Sequence, residues 1–377
     1  MVKWMNETDN EPIPELTIVP CVVVPSRAHS NESLTRTALS SFLALCFLVV
    51  VSNPHGWPDD EAKYSEREAI VLYHGGHQQF RYRYRDINIL GRVVPPIKVQ
   101  KAEYRLNRGD PVPFFVKGTD PEKDKISRNR LNTDGEFNIE IPVSSVDLHE
   151  GENVLDIRMI DQEDAKHAQT LFFTWNPEPV ALPLDLRDLS QVENIQTIGQ
   201  VVNGRFSVNR ERNGIQTMAP VGSDVLLLLG SPHGSQEATY KVRFGESEAI
   251  FLGLSDFFAG HESAAPDIGI KPGWSSAGLA TIRPDPEKSA QIWLAWGDLL
   301  DSERKWVVKT DPPKPFPVSP GQTYRVRHQV LFKEGVDRAR FKIWLDGTRE
   351  PDEWLCVEDD SKIDDAKTKF TEASFGL

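Results

Sequence analysis

An all-β chain of two antiparallel sandwiches is what this sequence predicts, and three observations predict it. Short runs alternate apolar with polar residues along most of positions 78 to 377. Gly, Asn and Asp turn residues punctuate them. No stretch in that region carries the 3.6-residue period of an amphipathic helix. At 377 residues the chain is long enough for two separate cores.

The first set of strands covers residues 78–178. "QFRYRYRDINILGRV" places Phe80, Tyr82 and Tyr84 on one face and Arg81, Arg83 and Arg85 on the other. "IKVQKAEYRLN" alternates up to Arg108-Gly109-Asp110. "EFNIEIPV" turns Phe137, Ile139 and Ile141 inward, and "GENVLDIRMIDQ" and "QTLFFTW" complete the set. Six or seven short strands in about 100 residues read as an immunoglobulin-like sandwich. "INILGRV", "AEYRLN" and "GEFNIEIPVSSVDLHEGENVLDIRMIDQEDA" resemble a recurrent bacterial extracellular Ig-like module. Gly151 permits its tight turn, and Asn153 is placed to bond the local backbone. The resemblance implies a fold and no site.

"NPEPVALPLDLRDL", residues 176–189, holds prolines and little period, so the boundary is put near residue 178. Residues 179–377 are again strands: the buried run "DVLLLLGS", then "ATYKVRFGE", "EAIFLGLSDF", "GLATIRPD", "AQIWLAWGDL" and the hairpin "YRVRHQVLFKEGVDRARFKIWLDG". The late hairpin with "DGTREPDEW" is similar to that of the concanavalin A-like and laminin-G-like jelly rolls, which implies a second sandwich of that type. Asp346-Gly347 suits the tight turn, and Trp354 after Pro351 is expected to plug a corner. "TEASFGL" reads as the start of a strand at the end of the chain. Sandwiches of this type return a final strand to the core, so either the chain is cut short or an early strand fills that place.

The N-terminal 52 residues read as a leader. "ALSSFLALCFLVVVS", residues 38–52, is apolar and uncharged but shorter than the roughly 20 residues that span a bilayer. Arg36 precedes it, and Val50 and Ser52 fit a signal-peptidase site, so an export signal is preferred to an uncleaved membrane anchor. An extracytoplasmic protein follows, secreted or anchored through residues 38–52. Residues 53–77 form a polar linker, and "HGGH" at 74–77 reads as a loop because no nearby cluster completes a metal site.

Composition narrows the function. A net charge of −13 argues against nucleic acid, and a strongly anionic polymer would have to find a local basic cluster. Of three cysteines only Cys356 lies beyond the leader, which excludes a disulfide or a cysteine zinc site there. Trp274, Trp293, Trp296, Trp306 and Trp344 are candidate ligand-binding residues, because a tryptophan face stacks on the C–H face of a sugar. Trp293 and Trp296, three apart, are expected on opposite faces of one strand. Asp256, Asp267 and Asp298 are loop acids that could hold calcium, as laminin-G-like sandwiches do; no other cofactor is expected. The resulting expectation is an exported protein that recognises a polysaccharide or glycoconjugate. A polysaccharide lyase or glycoside hydrolase is the rival, with no catalytic residues assigned beyond His261, Tyr324, His328 and Arg327 as candidates. A structural or adhesive surface module is the third reading.

Overall fold

The computed structural model describes residues 16–25, 69–81, 86–94, 97–127, 131, 133–210, 213–217, 225–243, 250–255, 276–285, 288–297, 308–319, 321–332, 338–359 and 373–376. The protein is all-β, with 58% strand and 3% helix.

Strand β1 (Leu16–Pro25) comes first. The first sandwich then follows in chain order: β2 (Ile70–Leu72), β3 (His77–Phe80), β4 (Asp86–Val93), β5 (Val99–Leu106), β6 (Val112–Pro113), the short helix α1 (Pro121–Ser127), β7 (Glu136–Pro142), β8 (Gly151–Asp161) and β9 (Lys166–Trp175). One sheet runs β2-β4-β7 and the other β3-β9-β8-β5-β6. The alternation in β7 is the expected one: Phe137, Ile139 and Ile141 are buried, while Glu136, Asn138 and Glu140 are half-buried on the other face. The run from Gln78 to Val93 is not a single strand. His77–Phe80 joins one sheet and Asp86–Val93 the other, so the chain changes sheet between them. Ile70–Leu72 and His77–Phe80 are strands although they lie in, or begin at the end of, the stretch expected to be a linker.

Asn107 and Asn153 fasten the loops at one end of this sandwich. Asn153 donates to the carbonyls of His149 (2.7 Å) and Gly151 (2.9 Å) and accepts from the His149 amide. Asn107, with φ of 48°, donates to Asn153 (2.7 Å) and to the Asp147 carbonyl, and accepts from the Val154 amide. Asn153 is only 1% exposed. Its replacement by Ala strands buried partners, so urea denaturation should show a loss of about 2 kcal/mol.

The second sandwich takes β10 (Leu184–Asp185), β11 (Gly199–Asn203), β12 (Phe206–Asn209), β13 (Gly214–Thr217), β14 (Leu226–His233), β15 (Gln236–Arg243), β16 (Ile250–Ser255), β17 (Ser276–Asp285), β18 (Lys288–Gly297), β19 (Val308–Lys309), β20 (Lys314–Phe316), β21 (Thr323–Leu331), β22 (Arg338–Leu345), β23 (Cys356–Asp359) and β24 (Ala373–Gly376). Its sheets run β12-β13-β1-β15-β21-β22-β23 and β11-β14-β24-β16-β17-β18-β19. "TEASFGL" is a strand as expected, seated between β14 and β16. Strand β1 belongs to the opposite sheet. It lies inside the stretch read as a leader, yet pairs with β13 on one side and β15 on the other. Its pattern, "LTIVPCVVVP", is interrupted by Pro20, which hides its period.

A polar relay joins the two sandwiches across the outer face of β4. Gln200 donates to the Asp86 carbonyl and to Asn88 Oδ1, both at 2.7 Å. Asn88 donates to Asn138 (3.2 Å), and Asn138 to the Val202 carbonyl (3.0 Å). Leu90, two residues along β4, belongs to the second core rather than the first. Nearby, His74 is buried in the β2–β3 turn and its carbonyl accepts from Asn194 (3.0 Å). The "HGGH" histidines therefore part company: His74 turns into the junction and His77 is exposed, stacked on Phe172.

Candidate functional site

The outward side of the sheet that contains β15, β21 and β22 gathers the densest chemistry among the described residues. Period-2 alternation sends Tyr324, Val326, His328 and Val330 into the core and leaves Arg325, Arg327 and Gln329 outside. On β22 the outer positions are Arg338, Arg340, Lys342 and Trp344; on β15 they are Glu237, Thr239, Lys241 and Arg243. The register sets like charges directly opposite each other: Lys241 faces Arg325, and Arg327 faces Lys342. Such pairs are destabilising unless an anion is shared between them.

The stretch "DGTREPDEW" supplies those anions. Leu345–Thr348 closes a turn on Gly347, whose φ of 85° suits glycine. Asp346 then sits between the first cation pair, 2.7 Å from Lys241 Nζ and 2.6 Å from Arg325 Nε. Glu350 sits between the second, 2.9 Å from Arg327 and 2.6 Å from Lys342. Lys342 also donates to the Pro351 carbonyl and lies 4.9 Å from the centre of the Trp354 ring. Arg340 approaches the same ring at 5.9 Å. Trp354 is thus half-buried on two cations, not plugged into an apolar corner.

Electrostatics follow from this packing. Burial raises the Glu237 carboxyl above its usual range; Arg327 opposes the shift and Glu350 adds to it. Asp346 moves the other way: burial works against its charge, but hydrogen bonds from Lys241 and Arg325 outweigh burial and hold it low. Arg327 stands between two carboxylates, 3.6 Å from Glu237 and 2.9 Å from Glu350.

The predicted site residues do not converge. Tyr324 and His328 point into the core, with His328 fully buried against Phe341, whereas Arg327 lies on the opposite side of the same strand. One face cannot present all three. Trp344 is on the charged face but buried, and Trp293 is half-buried on the other sheet, on β18. Trp296 is also in β18, with its side chain outside the described set; Trp274, Trp306, His261, Asp256, Asp267 and Asp298 lie outside the described residues altogether. Among the described residues no three His, Cys, Asp or Glu side chains are grouped to hold a metal ion. Cys356 is buried in the core, and burial pushes its thiol up to about 11. Glu237, Lys241 and Lys342 were not anticipated. Their signal was the charge alternation in "EATYKVR" and "RARFKIW", which reads as strands and marks no site by itself.

A concavity of about 290 Å³ opens on the first sandwich, lined by Tyr104, Val112, Phe114, Phe115, Asn138 and Glu140 among others.

No family model matches the chain, and no curated protein matches it. A solved structure that it resembles is a Bacteroides ovatus surface protein, SGBP-B of a mixed-linkage glucan utilization locus, in complex with a mixed-linkage heptasaccharide. The likeness has a TM-score of 0.16 at 12% identity and covers 64% of this chain and 66% of that one. At that score it carries no argument about this protein.

Proposed function

We propose that the chain is an extracytoplasmic glycan-recognition or cell-surface interaction protein. In this reading an Ig-like sandwich precedes a concanavalin A-like jelly roll, and the ligand lies on the charged outer face of the second sandwich. One observation supports it above the others. Guanidinium, amide and carboxylate groups stand side by side and half-exposed on a rigid sheet, with the Trp354 ring at their margin. Sugars are held by that combination, polar groups fixing hydroxyls and an aromatic face meeting C–H bonds. Calcium bound by Asp256, Asp267 and Asp298 remains part of the proposal.

A second reading rests on a specific feature, the two carboxylates that share Arg327. A glycosidase needs a protonated and an ionised carboxyl near each other, and Glu237 is the one driven toward its protonated form. The full-length chain should therefore be screened on a glycan array with and without calcium, and its hits assayed for shortened or unsaturated products. The full chain is required because β1 is part of the second sandwich. Binding without products is the expected result. Shortened, saturated products abolished by Glu237→Gln would establish hydrolysis instead, unsaturated ones a lyase, and a blank array would leave the adhesive reading in front.

A further inference from the structure

We infer that the glycan taken by this face is anionic, a polymer bearing carboxylate or sulfate groups, and that it binds by displacing Glu350. The inference rests on the glycan reading above and adds its chemical class. Three neighbouring strands present seven cations outward: Lys241 and Arg243 on β15, Arg325 and Arg327 on β21, and Arg338, Arg340 and Lys342 on β22. The same outward positions hold a single strand carboxylate, Glu237. Asp346, Glu350 and Asp359 reach the face from its margin, Asp359 at 4.0 Å from Arg338. Among the described residues, the face carries more cations than carboxylates, on a chain whose net charge is −13. It is the local basic cluster that an anionic polymer requires.

The loop shows how such a polymer would be held. Glu350 places one carboxylate between a guanidinium and an ammonium group that are cross-strand neighbours. A uronate or sulfate group offers the same oxygen geometry to the same pair. Asp346 is held somewhat more deeply: it is 24% exposed between Lys241 at 4% and Arg325 at 20%, against 33% for Glu350 between Lys342 at 7% and Arg327 at 34%. Of the two carboxylates that bridge a cross-strand cation pair, Glu350 is accordingly the one that a ligand replaces at lower cost, and in the free protein it competes with that ligand.

The test pairs polygalacturonate with its fully methyl-esterified form, which shares the backbone and lacks the charge. Mixed-linkage glucan and duplex DNA complete the panel, against the full chain and its Glu350→Gln and Arg327→Gln variants. Polygalacturonate should bind, the ester should not, and binding should weaken as salt is raised. Glu350→Gln should tighten polygalacturonate binding by about tenfold, since an internal competitor is gone, and Arg327→Gln should weaken it by a similar factor. Thermal denaturation of each variant establishes that it is folded. Binding of the ester or the glucan alone would overturn the anionic class and leave glycan recognition standing. Failure to bind any polysaccharide would sink both. DNA bound as tightly as polygalacturonate, or a Glu350→Gln variant with unchanged affinity, would overturn the inference by showing a merely cationic surface.

Discussion

Replacing Phe137 by Ala should cost about 3–5 kcal/mol in chemical denaturation, enough to unfold a marginal sandwich. Phe137 is fully buried at the centre of the first core, 5.4 Å from Phe114 ring to ring. Its ring fills the space left by Gly91 on the neighbouring strand, where a Cβ would stand 2.6 Å from Phe137 Cζ and 2.5 Å from the Val71 carbonyl oxygen. Gly91→Ala should therefore destabilise by about 1–3 kcal/mol on its own. Combining the two separates the causes. Removing the ring relieves the side-chain clash only, because Val71 is backbone and stays. The double variant should remain less stable than Phe137→Ala; a rescue to that level would show that Val71 yields easily.

Acid should weaken the protein through His74. The imidazole is buried, neither ring nitrogen has a hydrogen-bond partner, and the Arg205 charge acts on it. The other ionisable groups at the junction are Tyr73, which donates to Glu136 at 2.8 Å, and Arg92, which acts on Tyr73. Burial first, and Arg205 second, lower the His74 pKa from 6.5 to about 3. The sign follows directly. Above pH 6.5 the ring is neutral in both states and nothing is lost. As pH falls toward 3 the unfolded chain takes up a proton that the folded chain refuses, so stability declines across that window and levels off below it. The loss should be about 2 kcal/mol at pH 5 and about 3 kcal/mol at pH 4. The Asp161 carboxyl, held below its usual range by its hydrogen bond with His167, adds its own acid dependence. The informative quantity is the pH dependence of wild type minus that of His74→Leu. A difference that stays flat between pH 7 and pH 4 would mean that the imidazole reaches solvent or a partner.

Much of the fold was legible, and the reason is local. Glu136–Pro142, Leu226–His233, Thr323–Leu331 and Arg338–Leu345 announce themselves through alternation or an unbroken apolar run, bounded by turn residues. The Asn153 anchor and the Asp346-Gly347 turn were legible for the same reason, since their partners lie within a few residues. The site was less so. Alternation shows that Lys241, Arg325 and Lys342 share a side of their strands, but only the register reveals that Lys241 faces Arg325 and that Asp346 lies between them. Trp344 occupies an outward position in the alternation of its strand yet is itself buried, which alternation alone does not reveal. The Asn88–Gln200 contact joins residues 112 apart, and strand β1 meets partners from the far side of another sandwich. No period in a short window carries that information.

The relay across β4 bears on how such a protein can be rearranged in evolution. Strings of small sandwiches are commonly shuffled as exchangeable beads, each with a finished surface. The first sandwich here is unfinished on one side: severed near residue 178, it would expose Leu90 and leave Asn88 and Asn138 without Gln200 and Val202. A gene fusion that carried off the first half alone would carry off a sticky sheet.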